Sequence, residues 1–180
     1  MRIAVMGSAF NPPTLGHVDV IEQALANADR VWLVPSFRHA WGKEMAPYLD
    51  RCAMSQRLSK DFGDQRLQLM AVEHLIADDR PIYSIDLMAW LQQRLTGGQQ
   101  LLLVLGPDNA GAFGKFHRAA ELQASWPLLL AEERRPIRST QLRQRLAQGA
   151  AIDDLTTASV AAYLNQHPLY RPPRTVAENG

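Results

Sequence analysis

Short, uninterrupted apolar runs alternate along the chain with longer stretches in which apolar residues return every three or four positions. The runs fall at residues 3–6, 31–34 and 101–105, and they end at Gly7, Pro35 and Gly106. Weaker runs lie at 67–72 and 128–131. Runs of this length suit strands buried on both faces. Between them, Val18, Ile21, Ala24, Leu25 and Ala28 sit at helical spacing and predict a helix over 17–28. Leu49, Ala53, Met54 and Leu58 predict a second over 47–61, with those four side chains on its inner face. A third, over 84–95, opens at Ser84, a residue suited to capping, and stops at Gly97-Gly98. Short helices are expected at 140–147 and 154–165.

Strands that alternate with helices predict an α/β fold: a Rossmann-like, doubly wound parallel sheet in a single domain, covered by helices on both faces. Such sheets bind ligands beyond the carboxyl ends of their strands, where the strand order reverses. The informative loops are therefore those after Met6, Val34 and Leu105. The domain is expected to span residues 1–171, and the Pro-rich, polar stretch 172–180 to be a flexible tail.

Composition narrows the partners. With 47% apolar residues in 180, one core can form, and a net charge of +1 with no basic stripe argues against nucleic acid. Cys52 is the only cysteine, so no intrachain disulfide forms. No apolar run approaches the roughly 20 residues of a membrane span, and the N-terminal run is too short for a secretion signal. A cytoplasmic protein without membrane contacts is expected. The sequence leaves open whether copies associate into a homo-oligomer.

The first loop reads Gly7-Ser8-Ala9-Phe10-Asn11-Pro12-Pro13-Thr14-Leu15-Gly16-His17. Gly7 and Ser8 allow a ligand close to the backbone, and Pro12-Pro13 stiffens the turn. Thr14 can cap the next helix, whose free amides and dipole attract an anion. Gly16 keeps the floor of that site open, and His17 lies in the first helical turn, in reach of the same anion. Later in the chain, Ile137-Arg138-Ser139-Thr140-Gln141-Leu142-Arg143 precedes a short helix that Ser139 or Thr140 can cap. There, free amides, hydroxyls and the Arg143 guanidinium converge, an arrangement suited to two adjacent phosphates.

The first run resembles the signature of the nucleotidyltransferase superfamily that carries (T/H)xGH. The second resembles its other signature, commonly Ile-Ser-Ser-Thr-x-Ile-Arg, with Arg138 in place of the first Ser. The resemblance implies that Thr14 and His17 contact ATP phosphates, with Gly7, Ser8, Phe10 and Gly16 around them, and that Ser139, Thr140 and Arg143 hold the β- and γ-phosphates. Tyr83-Ser84-Ile85-Asp86, Leu105-Gly106-Pro107-Asp108-Asn109 and the stretch from Val160 to Leu169-Tyr170 resemble nicotinate or nicotinamide mononucleotide adenylyltransferases. By that resemblance Gly106 and Asp108 belong to the ATP site, while Lys43, Arg51, Ser84 and Phe116 face the acceptor. Phe116 stands where that family often has Trp. Lys43 is also a catalytic candidate, bridging acceptor and ATP phosphates.

The implied reaction moves AMP from ATP to a pyridine mononucleotide in NAD biosynthesis. It needs no protein nucleophile, because the acceptor phosphate is already ionised. No cluster has the spacing of a fixed metal site, so Mg2+ is expected to arrive with ATP. Two alternatives remain at this level: another phosphorylated acceptor such as phosphopantetheine, since Thr14 also occurs in that enzyme group, and a relative that binds nucleotide without turnover.

Overall fold

The computed structural model describes residues 1–39, 42–77 and 79–171. The expected tail at 172–180 lies outside the described residues. Among those described, five strands form one parallel sheet: β1 (Arg2–Ser8), β2 (Arg30–Pro35), β3 (Leu67–Leu69), β4 (Gln100–Leu105) and β5 (Leu128–Leu130). Their order is β3-β2-β1-β4-β5. The chain winds outward from β1 in one direction, then returns to β4 and winds out in the other. The order therefore reverses between β1 and β4, which opens a crevice at their carboxyl ends.

Helices α1 (Leu15–Asn27), α2 (Tyr48–Phe62), α3 (Ser84–Gln92), α4 (Pro107–Gly111), α5 (Ala119–Ser125), α6 (Ser139–Ala147) and α7 (Ala158–Gln166) cover the sheet. Side chains alternate along the central strands, so both faces are buried. Ala4, Met6, Leu102 and Val104 join one core cluster with residues of α1, α2, α6 and α7. Ile3, Val5, Leu101, Leu103 and Leu105 join the other with α3 and Leu122 of α5. No helix among the described residues is long and apolar enough to cross a membrane.

The pattern of apolar positions located every strand. It missed α4, α5 and the 3₁₀ turns Glu73–Leu75 and Phe113–Lys115, each too short to show a helical period. It also misread α2. Leu49 is 79% exposed, whereas Arg51, Ser55 and Ser59 are buried beside Met54 and Leu58. The buried polar groups are each bonded: Ser55 Oγ donates to the Arg51 carbonyl and Ser59 Oγ to that of Leu67. A buried polar group with partners costs little, so polarity alone did not mark the outer face.

The start of α1 is packed against the segment that leads into α6. A Cβ built on Gly16 would lie 2.2 Å from the carbonyl oxygen of Ile137. Glycine is required here by backbone approach rather than by its dihedral freedom. Beyond leaving a floor open, as the sequence implied, it lets two distant loops touch. Gly16→Ala should therefore force the two loops apart and destabilise the fold by about 1–3 kcal/mol, the scale of overpacking. Urea unfolding of the variant against the parent measures this.

Candidate active site

A cleft of about 710 Å³ opens at the carboxyl ends of β1 and β4, within the range of small-molecule sites. Gly7 and Ser8 line it from β1, Gly106 and Asp108 from the end of β4, and Thr14, Gly16 and His17 from the start of α1. Ser139, Thr140 and Arg143 line it from α6; Lys43, Ser84 and Phe116 line it elsewhere. Gly7 and Gly106 have no close neighbour that a Cβ would strike: the nearest atoms lie at 3.8 and 3.9 Å. Protein packing alone does not demand glycine at either place, so the open space in front of them is available to a ligand.

The N-termini of α1 and α6 both face this cleft. The first amides of a helix have no partner within it, so each terminus offers donors to an anion. The capping differs from expectation in α6. Arg138, not Ser139 or Thr140, occupies the cap position, and its N–H donates to Gln141 Oε1 at 2.8 Å. Ser139 Oγ instead donates across to the Pro12 carbonyl at 2.7 Å. Arg143 Nη1 donates to the Asn11 carbonyl at 2.7 Å, and Nη2 to Thr140 Oγ1 at 3.2 Å. Likewise Ser84 is the first residue of α3, with Tyr83 at the cap.

His17 is held in one tautomer. Its Nδ1 accepts the Thr14 backbone N–H at 3.0 Å, which can only donate, so the proton sits on Nε2. Nε2 lies 3.2 Å from Ser8 Oγ, on the side of the cleft. The Phe10 ring, 1% exposed, packs on the imidazole with centroids 4.9 Å apart. Burial pushes the His17 pKa down to about 4, so the ring is neutral at pH 7 and acts as a hydrogen-bond donor. Thr14 Oγ1 lies 3.1 Å from His17 Nδ1 and 3.5 Å from the Ile137 carbonyl. Its single proton is engaged within the protein, which gives Thr14 a positioning geometry.

Asp19, 2% exposed, sits two residues after His17 in α1. It accepts the backbone N–H groups of Arg134 and Arg135 at 2.9 and 3.0 Å and Arg134 Nε at 2.5 Å. Burial alone would raise its carboxyl, but the bonds from Arg134 and Arg135 hold it below the usual carboxylate range. It ties α1 to the approach of α6. Nothing in the sequence separated Asp19 from an ordinary surface acid.

Arg51, expected to face the acceptor, is 1% exposed; it is not in the lining of this cleft but lines a second pocket that shares Lys43 with it. Its Nε donates to the Ala46 carbonyl at 2.9 Å, Nη1 to Ala9 at 2.8 Å and Nη2 to Phe37 at 3.5 Å. The guanidinium braces the loop that carries Lys43 from behind. Lys43 itself is exposed at the rim. The cleft is also lined by Glu73, which the sequence reading missed. It is 3% exposed, and its Oε2 accepts the Phe37 N–H at 2.7 Å. Burial pushes its carboxyl up to about 7. Phe116 packs on Phe113 with centroids 5.4 Å apart, and the neighbouring His117 lies on the Tyr83 ring at 4.5 Å. Asp108 stands at the rim, paired with Arg138 at 2.9 Å. Among the described residues no group of three or more His, Cys, Asp or Glu is placed to hold a metal ion.

Comparison with known proteins agrees with this geometry. The sequence model of the Cytidylyltransferase-like family matches residues 5–145. A protein of Anaeromyxobacter dehalogenans that carries the name nicotinate-nucleotide adenylyltransferase is 29% identical, over 94% of this chain and 97% of its own. A crystal structure from Vibrio parahaemolyticus, named for the same activity, is 34% identical with a TM-score of 0.79, over 91% of this chain and 98% of the other. The nicotinic acid mononucleotide adenylyltransferase of Plasmodium falciparum complexed with NaAD shares the fold, with a TM-score of 0.74 at 16% identity over 94% and 97% of the two chains.

Two of the shifted groups, His17 and Glu73, have opposite effects on stability. His17 binds fewer protons folded than unfolded between pH 6.5 and about 4, so its contribution is lost as pH falls through that window. Glu73 binds more protons folded than unfolded between pH 4.5 and about 7, so its contribution is lost as pH rises. The two slopes largely cancel where they overlap. In Glu73→Gln the opposing Glu73 slope is removed, so unfolding free energy should fall more steeply than in the parent below pH 6.5, with His17 contributing up to about 1.4 kcal/mol per pH unit. Denaturant titrations of parent and variant at several pH values read the difference in slope.

Proposed function

This chain belongs to the Cytidylyltransferase-like family and, within it, to the nicotinate-nucleotide adenylyltransferases, and from that premise we propose that it is a cytoplasmic enzyme of NAD biosynthesis that moves the AMP part of ATP onto nicotinate mononucleotide. The observation that carries the reading is the convergence of two helix N-termini, His17 and Arg143 on one cleft at the reversal point of the sheet.

The chemistry asks little of the protein beyond position and charge. A phosphate oxygen of the acceptor attacks the α-phosphorus of ATP. The bond from that phosphorus to the bridging oxygen breaks, and pyrophosphate leaves. The acceptor phosphate needs no general base. Catalysis then consists of alignment and of stabilising charge on the departing oxygens.

In this reading the Nε2–H of His17 donates to the oxygens between the α- and β-phosphates. Thr14 and Phe10 hold its ring in place, and Ser8 is released from it when a phosphate arrives. Ser139, Thr140 and Arg143, with the free amides of α6, hold the leaving pyrophosphate. Gly7, Gly16 and Gly106 leave room for the nucleotide, and Asp108 is at hand for the ribose. Lys43 bridges the acceptor and ATP phosphates, Phe116 offers a face to the pyridine ring, and Ser84 offers a hydroxyl beside it. Arg51 acts from behind, by holding the Lys43 loop. Nucleotidyltransferases of this kind use a divalent metal with ATP. Here the ion is Mg2+, carried in on the triphosphate as part of the substrate.

His17→Ala should lower turnover by about 10²–10³, the scale for losing one donor to developing charge, while leaving thermal unfolding close to that of the parent. Turnover equal to the parent's would remove His17 from the chemistry. The acceptor is tested by pyrophosphate release from purified protein with MgATP and, separately, nicotinate mononucleotide, nicotinamide mononucleotide and phosphopantetheine. The highest kcat/KM is expected with nicotinate mononucleotide. A higher value with phosphopantetheine, or no release with any acceptor, would overturn the assignment.

A further inference from the structure

Arg138 departs from the signature that surrounds it: a guanidinium stands where the resembling signature commonly has a serine hydroxyl. It also lies at the N-cap of α6, in the wall of the cleft, directly before the residues assigned to the pyrophosphate. Its side chain is turned away from that assignment. Nε meets Asp108 Oδ2 at 2.9 Å and Nη2 meets Asp108 Oδ1 at 3.0 Å, a two-pronged pairing across to the first turn of α4. Nη2 also meets Glu133 Oε2 at 2.7 Å. Two carboxylates thus hold the Arg138 guanidinium at the wall of the cleft.

The pairing is weakly held. The Asp108 side chain is 73% exposed, and those of Glu133 and Arg138 are 37% and 36% exposed. Exposed ion pairs are screened and contribute little. A triphosphate at the start of α6 offers several charged oxygens at the same point, with the helix dipole behind them. A guanidinium prefers the two-pronged contact with phosphate for the same geometric reason that it pairs with Asp108.

We propose that Arg138 is a further triphosphate-binding residue, held against Asp108 and Glu133 while the cleft is open and transferred to the β- and γ-phosphates when nucleotide enters. The transfer exchanges one set of charge-assisted bonds for another and breaks no covalent bond. It also uncovers Asp108 at the moment the ribose arrives beside it. The inference rests on the adenylyltransferase reading, since it assigns the leaving phosphates to the start of α6.

Binding of inorganic pyrophosphate, followed by calorimetry, isolates the step from acceptor, ribose and turnover. Arg138→Ser, which restores the common residue, should weaken pyrophosphate by about tenfold, the scale of a hydrogen bond to a charged group, with thermal unfolding checked alongside. Asp108→Asn should tighten it about threefold in the parent background, because the competing carboxylate is gone. In the Arg138→Ser background the same Asp108 change should have little effect, since no guanidinium remains to be released. Equal affinity in parent and Arg138→Ser would overturn the proposal. So would an Asp108→Asn effect of the same size in both backgrounds, which is the signature of simple repulsion between the carboxylate and pyrophosphate. A parent that binds no pyrophosphate would instead overturn the shared phosphate cleft, and the functional reading with it.

Discussion

The site depends on how the carbonyl groups of the first loop find their partners. Residues 9–13 follow β1 without joining any helix or strand, and Pro12 and Pro13 remove two of the N–H groups that could have closed a turn. Their carbonyls would be left bare in a largely buried loop, at a cost that folded proteins rarely carry. Four of the five are met by side chains from distant parts of the chain. Arg51 of α2 donates to Ala9, Arg143 of α6 to Asn11, Ser139 of α6 to Pro12, and Thr156 to Pro13. The side chain of Asn11 extends the set, since its Oδ1 accepts both the Ala46 N–H and the Tyr170 hydroxyl. The loop therefore holds its shape only when α2, α6 and the C-terminal segment are all in place. The same bonds bring those elements to the cleft.

This arrangement explains why residues of both signatures serve two purposes. Ser139 and Arg143 stand where they can meet phosphate, yet in the open cleft they are bonded to the first loop. His17 likewise faces the cleft through Nε2 while Nδ1 is bonded to the Thr14 backbone. Preorganised donors of this kind lose little freedom when an anion arrives. The neutral state of His17 fits the same logic. A buried imidazolium would need a permanent counter-charge in the pocket, and such a charge would repel the triphosphate. A neutral ring with its proton on Nε2 avoids that conflict, and its pKa can rise only when negative charge comes near.

The side of the cleft that carries Lys43 is organised by two further buried groups. Arg51 and Glu73 approach the loop that carries Lys43 from beneath, the first through the carbonyls of Ala46 and Phe37, the second through the Phe37 N–H. The loop is thereby anchored on both backbone polarities at one residue. Asp19 performs the corresponding task on the side of α1 and α6, where it gathers the amides of Arg134 and Arg135. Two buried carboxyl groups, one on each side of the cleft, set the loops from which the exposed cations project. Because these groups are desolvated, they specify one placement of each loop: a shifted loop would leave a buried polar group without a partner.

What was legible in the sequence was local. The apolar runs marked the strands because a central parallel strand is buried on both faces, and that leaves an unbroken signal at 101–105. The two signatures were legible because helix N-termini that bind anions need small residues, hydroxyls and a few charged groups at fixed short spacing. Tertiary structure decided which polar residues turn inward. Arg51 read as an acceptor residue, Asp19 and Glu73 did not stand out, and Leu49 was assigned to the core that it does not enter. Spacing along a helix identifies a face; whether that face meets apolar side chains or orphaned carbonyls depends on the loop packed against it. Gly16 makes the same point: its backbone approach to Ile137 joins segments more than a hundred residues apart, and no local pattern records a contact at that separation.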